Sequence, residues 1–145
     1  MITTSNFARC GKNPNAVAIS IGCPKGWYGR KFQKLAPAYN MLKASKTDYD
    51  NYYYAKLAKM NAREVYDEIV ENFGQDAILL CWESPNIRCH RRIVAEWFET
   101  ELGIVVPEFG FERSAIKPYA EMLDKGEKPV EVPKPKEPSL FDDLF

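Results

Sequence analysis

The chain has 145 residues, of which 20 are basic and 20 acidic, so its formal net charge is zero. The hydrophobic fraction of 46% and the aromatic fraction of 13% are typical of a folded domain and exclude a disordered chain. The zero net charge excludes a global basic field but leaves room for a local basic patch. No apolar run is long enough to span a bilayer, and the first residues do not form a signal peptide. We therefore expect a cytoplasmic protein with no membrane contact, whose four cysteines, none in a Cys-x-x-Cys pair, are free thiols.

The first half of the chain is expected to supply two strands and a long loop. Residues 2–7 are consistent with a short first strand, and residues 16–21 form an apolar, β-branched run that ends at Gly22. Residues 22–31 combine glycine, aromatic and basic side chains, which predicts a loop on the carboxyl side of the second strand.

The second half alternates helix and strand more clearly. Apolar side chains recur every three or four positions over residues 50–73, which predicts one helix. The continuous apolar run 77–81 predicts a strand buried on both faces, followed by a helix over 89–102 and a further strand at 104–106. This alternation predicts an α/β domain with a small, open, mostly parallel sheet flanked by helices.

The composition changes after Asp124. Residues 125–138 alternate prolines and charged side chains, which is typical of a semi-extended linker. The last seven residues, 139–145, form a short apolar tail. We therefore divide the chain into an α/β domain over residues 1–124, a Pro-rich linker and a C-terminal tail peptide. The large apolar residues of the tail are Leu140, Phe141, Leu144 and Phe145.

The densest group of reactive side chains lies between the strand at 77–81 and the helix after it. In an open α/β sheet, ligands bind at the carboxyl ends of the strands. A helix N-terminus also attracts anions and lowers the pKa of a nearby thiol. We predict three catalytic residues here: Glu83 as general base or hydroxyl ligand, His90 for proton transfer, and Cys89 as a reactive or supporting thiol.

Ligand binding is predicted at the same edge of the sheet. Arg88 and Arg91 can hold a phosphate or carboxylate in a bidentate fork. Ser20 and Ser5 lie near the ends of the neighbouring predicted strands. The expected partner is a small anionic ligand, such as a nucleotide, or a nucleic-acid end. The sequence leaves open the cofactor, the reaction and whether the protein is an enzyme.

Each of these residues also has a purely structural interpretation. Cys81 ends a buried strand, where cysteine is most often a small core residue. Cys89 is about as consistent with packing as with reactivity, and Glu83 can be a salt-bridge partner of Arg91. Cys81, Cys89 and His90 could form a zinc site with Cys10 or Cys23 as the fourth ligand, but adjacent cysteine and histidine ligands are geometrically awkward. The sequence alone therefore predicts no metal.

This junction resembles the signature of the DUF488 family, in which an apolar strand ends in Leu-Cys-x-Glu and Cys-His-Arg opens the next helix. Here the two parts are Leu80-Cys81-Trp82-Glu83 and Cys89-His90-Arg91. The resemblance covers about 120 residues and implies an α/β fold with a site at this junction, but no particular reaction. The chain departs from the family at Ser20-Ile21-Gly22, where many members carry Asp-x-Arg, so it lacks that pair.

The tail supports an alternative of a different class, a non-catalytic adaptor. Ser139-Leu140-Phe141 resembles the C-terminal peptides by which DNA-replication and repair proteins dock on the bacterial sliding clamp. The match is partial, because Glu137 stands where glutamine is usual and Pro138 where leucine is common. Residues 141–145 can instead form one amphipathic helical turn that enters another protein's groove. The structural alternative is that the tail folds back onto its own domain.

Overall fold

The computed structural model describes residues 1–124, which form a four-stranded parallel sheet covered by helices. Its strands are β1 (Thr3–Asn6), β2 (Ala16–Ala18), β3 (Arg30–Lys31) and β4 (Ile78–Cys81). They lie in the order β1-β4-β2-β3, and all three neighbouring pairs are parallel. The predicted α/β fold is therefore confirmed. The predicted linker and tail fall outside the described residues.

The described part of the chain has four α-helices and four short 3-10 helices. The α-helices are α1 (Phe7–Cys10), α2 (Lys46–Ala58), α3 (Ala62–Phe73) and α4 (His90–Leu102). The 3-10 helices are Gln33–Leu35, Tyr39–Met41, Arg113–Ala115 and Tyr119–Glu121. No helix within residues 1–124 has the length and apolar content that a membrane span requires.

The prediction of one helix over residues 50–73 is wrong, because the chain breaks between α2 and α3. Asn61 adopts an extended backbone conformation, and its side-chain oxygen accepts the N–H of Glu64 at 3.0 Å. An asparagine in this position is a strong N-cap, so it starts a new helix. The apolar periodicity continues across the break and therefore gave no sign of it.

The predicted strand at residues 104–106 does not form. The N–H of Val106 donates to the Glu99 carboxylate at 3.0 Å, so it is not available to a strand neighbour. Pairing with β1 occurs just after this segment, as an isolated parallel bridge between Thr4 and Glu108. A strand needs successive ladder hydrogen bonds, and here a side chain takes one of the donors.

The sheet is buried on both faces, which explains the continuous apolar run of β4. Leu79 belongs to a large core with α3 and α4 side chains such as Ile69 and Phe98. Its neighbours Ile78 and Leu80 belong to a smaller core that includes Phe7 and Cys10 of α1. Successive side chains of a strand point to opposite faces, so two cores require an apolar residue at every position.

The connections of the sheet create a crevice between the carboxyl ends of β2 and β4. From β2 the chain continues to β3 at one edge of the sheet. From β4 it passes through α4 to Glu108, which lies beyond β1 at the other edge. Connections that leave in opposite directions define a topological switch point, which is where open α/β sheets bind ligands.

Candidate functional site

A cavity of about 1150 Å³ opens at this switch point. Part of its lining comes from residues directly after β2, from the end of β4 and from the start of α4. Five of the predicted site residues line it, and they are Ser20, Glu83, Arg88, Cys89 and His90. Cys81 lines it as well. Five of the seven residues predicted for catalysis or ligand binding therefore lie around one cavity.

Polar side chains hold the loop between β4 and α4 in place. The Asn6 side-chain amide donates to the Glu83 carbonyl at 3.1 Å. The Trp82 indole N–H donates to the Gly22 carbonyl at 3.1 Å and ties this loop to the one after β2. Asn86 adopts a left-handed φ of 63°, which asparagine tolerates, and its side chain accepts the N–H of Lys117 at 2.9 Å.

His90 is buried in the cavity wall with a defined ring orientation. Its Nε2 lies 2.7 Å from the Ile19 carbonyl oxygen. Because a carbonyl only accepts, Nε2 carries the proton and Nδ1 the lone pair. Burial is the main cause that lowers the pKa of His90 to about 4, and the positive charge of Arg91 lowers it further. The hydrogen bond to Ile19 acts in the opposite direction but is outweighed. His90 is therefore neutral at pH 7.

The prediction of free cysteines is wrong for Cys81 and Cys89, which form a disulfide. Cys81 ends β4 and Cys89 is the N-cap residue of α4, so the fold brings together two sulfurs that are eight positions apart in the chain. Only Cys10 and Cys23 are free. Neither the expected compartment nor the absence of a Cys-x-x-Cys pair reports on this contact.

Arg91 does not line the cavity, although the sequence analysis predicted that it holds an anion. It is buried, and its Nε and Nη2 donate to the two carboxylate oxygens of Glu108 at 2.9 and 3.2 Å. Its Nη1 donates to the Cys81 sulfur at 3.2 Å. The Thr4 hydroxyl donates to the same Glu108 carboxylate at 2.6 Å. Arg91 thus fixes the end of β4, and its ion-pair partner is Glu108 and not Glu83.

The two predicted serines lie in different places. The Ser20 hydroxyl is at the cavity and donates to the Gly22 carbonyl at 2.6 Å, which leaves its oxygen able to accept from a ligand. Ser5 is buried in β1 and is not part of the cavity lining. A ligand in the cavity would therefore contact Ser20 and not Ser5.

The cavity also contains residues that the sequence analysis missed. The Tyr119 hydroxyl donates to Asp50 at 2.5 Å, and the Lys46 ammonium lies 2.7 Å from the other oxygen of that carboxylate. Burial, followed by the hydrogen bond to Asp50, raises the pKa of Tyr119. Tyr119 and Asp50 are 69 positions apart, so no local pattern could join them.

The lining combines aromatic rings with paired charges. The aromatic residues are Tyr39, Tyr49, Trp82 and Tyr119, in addition to the imidazole of His90. Arg88 is paired with Asp124, to which its Nε donates at 2.7 Å. Aromatic faces stack on planar ligands. An arginine that is paired with a carboxylate, as Arg88 is with Asp124, can exchange that carboxylate for an anionic group of a ligand.

The sheet and this cavity define the chain as an α/β protein with a cavity lined by polar and aromatic side chains at the switch point of a parallel sheet. The family model DUF488-N3a, described as the active DUF488-N3 subclade, matches residues 5–102. The chain therefore belongs to the DUF488 family, and the predicted resemblance is confirmed. The matched region includes both parts of the Leu-Cys-x-Glu and Cys-His-Arg signature. No match was found among curated proteins or among solved structures.

Proposed function

We propose that the cavity binds a ligand with a planar aromatic group and an anionic group, such as a nucleotide or a nucleic-acid end, and that the protein acts on it. The observation that carries this proposal is that aromatic rings, the Arg88 guanidinium, the Glu83 carboxylate and the Ser20 hydroxyl all line one cavity at the switch point. A cavity of this volume is large enough for a ligand of nucleotide size.

The aromatic group of the ligand would stack at the mouth of the cavity. The side chains of Tyr39 and Trp82 are 79% and 50% exposed, so their ring faces are available to a ligand. Stacking of a base on such a ring contributes about 1–3 kcal/mol. Trp82 is held by its hydrogen bond to Gly22, so little further ordering is needed when a base stacks on it.

The anionic group would lie near Arg88 and the N-terminus of α4. Cys89, the N-cap residue, makes no side-chain cap hydrogen bond, so a ligand oxygen can fill the place of the capping group. The partial positive charge of the helix end favours an anion there. Arg88 would exchange its contact with Asp124 for a bidentate contact with the ligand.

Proton transfer on the bound ligand is assigned to Glu83, as general base or as a ligand for a sugar hydroxyl. His90 has a more limited role than its residue type suggests, because its pKa of about 4 keeps the ring neutral at pH 7. The ring would accept a hydrogen bond through Nδ1 and hold its neighbours in place, and would not act as a proton donor at that pH.

Binding of defined probes tests the proposal. We expect adenosine 5′-monophosphate and a 5′-phosphorylated trinucleotide to quench tryptophan fluorescence, and inorganic phosphate alone to do so much less. Arg88→Gln should weaken binding of the phosphorylated probes by about tenfold, the usual value of one charged hydrogen bond. Trp82→Ala should weaken binding of adenosine and of adenosine monophosphate alike.

Arg63→Gln provides the matched control, because Arg63 also pairs with an acidic residue but lies on the exposed surface of α3. This variant should bind every probe as the unmodified protein does. Equal affinity of Arg88→Gln and Arg63→Gln for the phosphorylated probes, or no saturable binding of any probe, would contradict the proposal.

A further inference from the structure

We propose that reduction of the Cys81–Cys89 disulfide turns the floor of the cavity into a site for a divalent metal ion of the zinc class. The ligands would be the two sulfurs and Nδ1 of His90. This inference does not depend on the nucleotide-like ligand proposed above, because it concerns three protein atoms and can be measured with a metal ion alone.

The three donor atoms already lie close together. The two sulfurs and a ring nitrogen of His90 are all within 4.8 Å of one another, and His90 Nδ1 is 3.8 Å from the Cys89 sulfur. Bond lengths of about 2.3 Å to sulfur and about 2.0 Å to nitrogen place tetrahedral S and N ligands roughly 3.5 Å apart. The nitrogen–sulfur separation therefore needs to change only slightly.

The objection that adjacent cysteine and histidine ligands are awkward is removed by the backbone. Cys89 is extended, with φ −154° and ψ 147°, whereas His90 is the first residue of α4. This change of conformation between two neighbours turns both side chains toward the same point. A pair inside a continuous helix would diverge by about 100° per residue instead.

His90 is oriented as a metal-binding histidine is. Its Nε2 donates to the Ile19 carbonyl at 2.7 Å, and the ring packs against Tyr53 with 5.4 Å between centroids. Metal-binding histidines typically donate their other ring N–H to a carbonyl or carboxylate, which fixes tautomer and orientation. Here that support is present, and the remaining nitrogen faces a sulfur.

The surroundings also suit two thiolates. Arg91 donates to the Cys81 sulfur at 3.2 Å, and Cys89 lies at the positive end of α4. Both features stabilise a thiolate over a thiol. The Cα atoms of the two cysteines are 7.3 Å apart, so an ion can lie between the reduced sulfurs without a wider separation of the backbone.

Three protein ligands leave a fourth position for the cavity to supply. Cys81, Cys89 and His90 all line the cavity, so a water molecule or a ligand atom can complete the coordination. Sites with three protein ligands and one open position are typical of catalytic zinc, whereas structural zinc sites are closed by four. The proposed site is of the open kind.

A small dithiol can reduce the Cys81–Cys89 disulfide. The dithiol gives two electrons and two protons, the Cys81–Cys89 bond breaks, and the reductant becomes a cyclic disulfide. The metal ion then replaces the two thiol protons, which are released to solvent. A small-molecule disulfide, which accepts two electrons and becomes two thiols, would re-form the Cys81–Cys89 bond and release the ion.

The experiment is a cobalt titration of the full chain, with and without prior reduction by a dithiol that is then removed under anaerobic conditions. The reduced protein should bind one Co²⁺ and develop the thiolate charge-transfer and tetrahedral ligand-field bands, which added Zn²⁺ removes. The oxidised protein should show neither band. Absence of both bands in the reduced protein would overturn the proposal.

Variants then locate the ion. Cys81→Ser and Cys89→Ser should lose the bands, whereas Cys10→Ser and Cys23→Ser should keep them. Bands that persist in both of the first two variants would mean an adventitious surface site and would overturn the assignment.

A measurement without variants covers the case in which a substitution prevents folding. Zn²⁺ should slow alkylation of Cys81 and Cys89 in the reduced chain, as read by peptide mass spectrometry, but not that of the partly exposed Cys23. Equal alkylation of all three with and without Zn²⁺ would also overturn the proposal.

Discussion

The N-cap and first turn of α4 carry two pairs of neighbouring residues that the fold uses in different ways. Cys89 and His90 line the cavity, and His90 keeps one ring nitrogen toward a sulfur. Arg91 and Arg92 are both buried and both lie outside the cavity lining. Neighbouring residues at the start of one helix therefore have different roles, because the first pair faces the cavity and the second pair packs behind it.

The two arginines also differ from each other. Each is 3% exposed. Arg91 has a bidentate partner in Glu108, whereas Nε, Nη1 and Nη2 of Arg92 make no hydrogen bond within the described residues. The carboxylates nearest to Arg92, those of Glu96 and Glu99, are 3.4 and 3.6 Å away, and burial lowers the pKa of Arg92. Burial by itself therefore does not show which arginine the fold depends on.

The largest effect is expected when Arg91 loses its partner. Glu108→Leu keeps the volume but leaves a buried, uncompensated guanidinium, so the free energy of unfolding should fall by about 3–5 kcal/mol. Urea denaturation measures it. The control is Glu68→Leu, which breaks the largely exposed pair with Lys34 and should cost less than about 1 kcal/mol. Similar losses for both would show that the Arg91 network has no special weight.

The pH dependence of stability tests the burial of His90. Its pKa is about 4 in the folded protein and 6.5 in the unfolded chain, so between these values the unfolded state binds more protons. The contribution of the neutral His90 to the free energy of unfolding is therefore complete above pH 6.5. It is lost as the pH falls toward 4, in total by roughly 3 kcal/mol. Denaturation of metal-free protein across this range should show that the free energy of unfolding increases with pH, and His90→Gln should reduce this slope. An unchanged slope in the variant would assign it to other groups.

A smaller effect separates the two arginines directly. Arg92→Met should change the free energy of unfolding by no more than about 1 kcal/mol in either direction, because an apolar side chain replaces a poorly bonded buried charge. Glu99 keeps its contacts with Arg113 and the Val106 N–H. Arg91→Met should cost clearly more, since it leaves the Glu108 carboxylate buried without its cation. Equal costs would remove the distinction between the two residues.

No effect on the domain is expected from removal of the tail, whose proposed partner is a sliding clamp. Deletion of residues 139–145 should leave the melting temperature unchanged and abolish capture by purified bacterial sliding clamp, as should Phe141→Ala. Glu131 lies in the linker outside the motif, so Glu131→Ala serves as the control and should retain capture. Undiminished capture after the deletion would exclude a tail-mediated contact, and absence of capture with the full chain would exclude the clamp as partner.

Much of the fold could be predicted because its signals are local. The apolar run of β4 and the Cys-His-Arg start of α4 lie within residues 78–91, and burial on both faces of the sheet leaves a continuous apolar pattern. The break at Asn61 and the missing strand at 104–106 were not predicted. In both cases a side-chain oxygen accepts a backbone N–H, Asn61 that of Glu64 and Glu99 that of Val106, and this hydrogen bond overrode the apolar pattern.

The candidate site was predictable to a similar extent. The sequence by itself determined that the reactive residues follow β4, because strand, loop and helix are consecutive in the chain. Only the tertiary structure decided which of them meet. It pairs Arg91 with Glu108, joins Cys81 to Cys89 and brings Tyr119 to Asp50. The physical reason is that hydrogen bonds and ion pairs depend on distances of a few ångströms between groups that can be far apart in the chain, and a local pattern does not contain those distances.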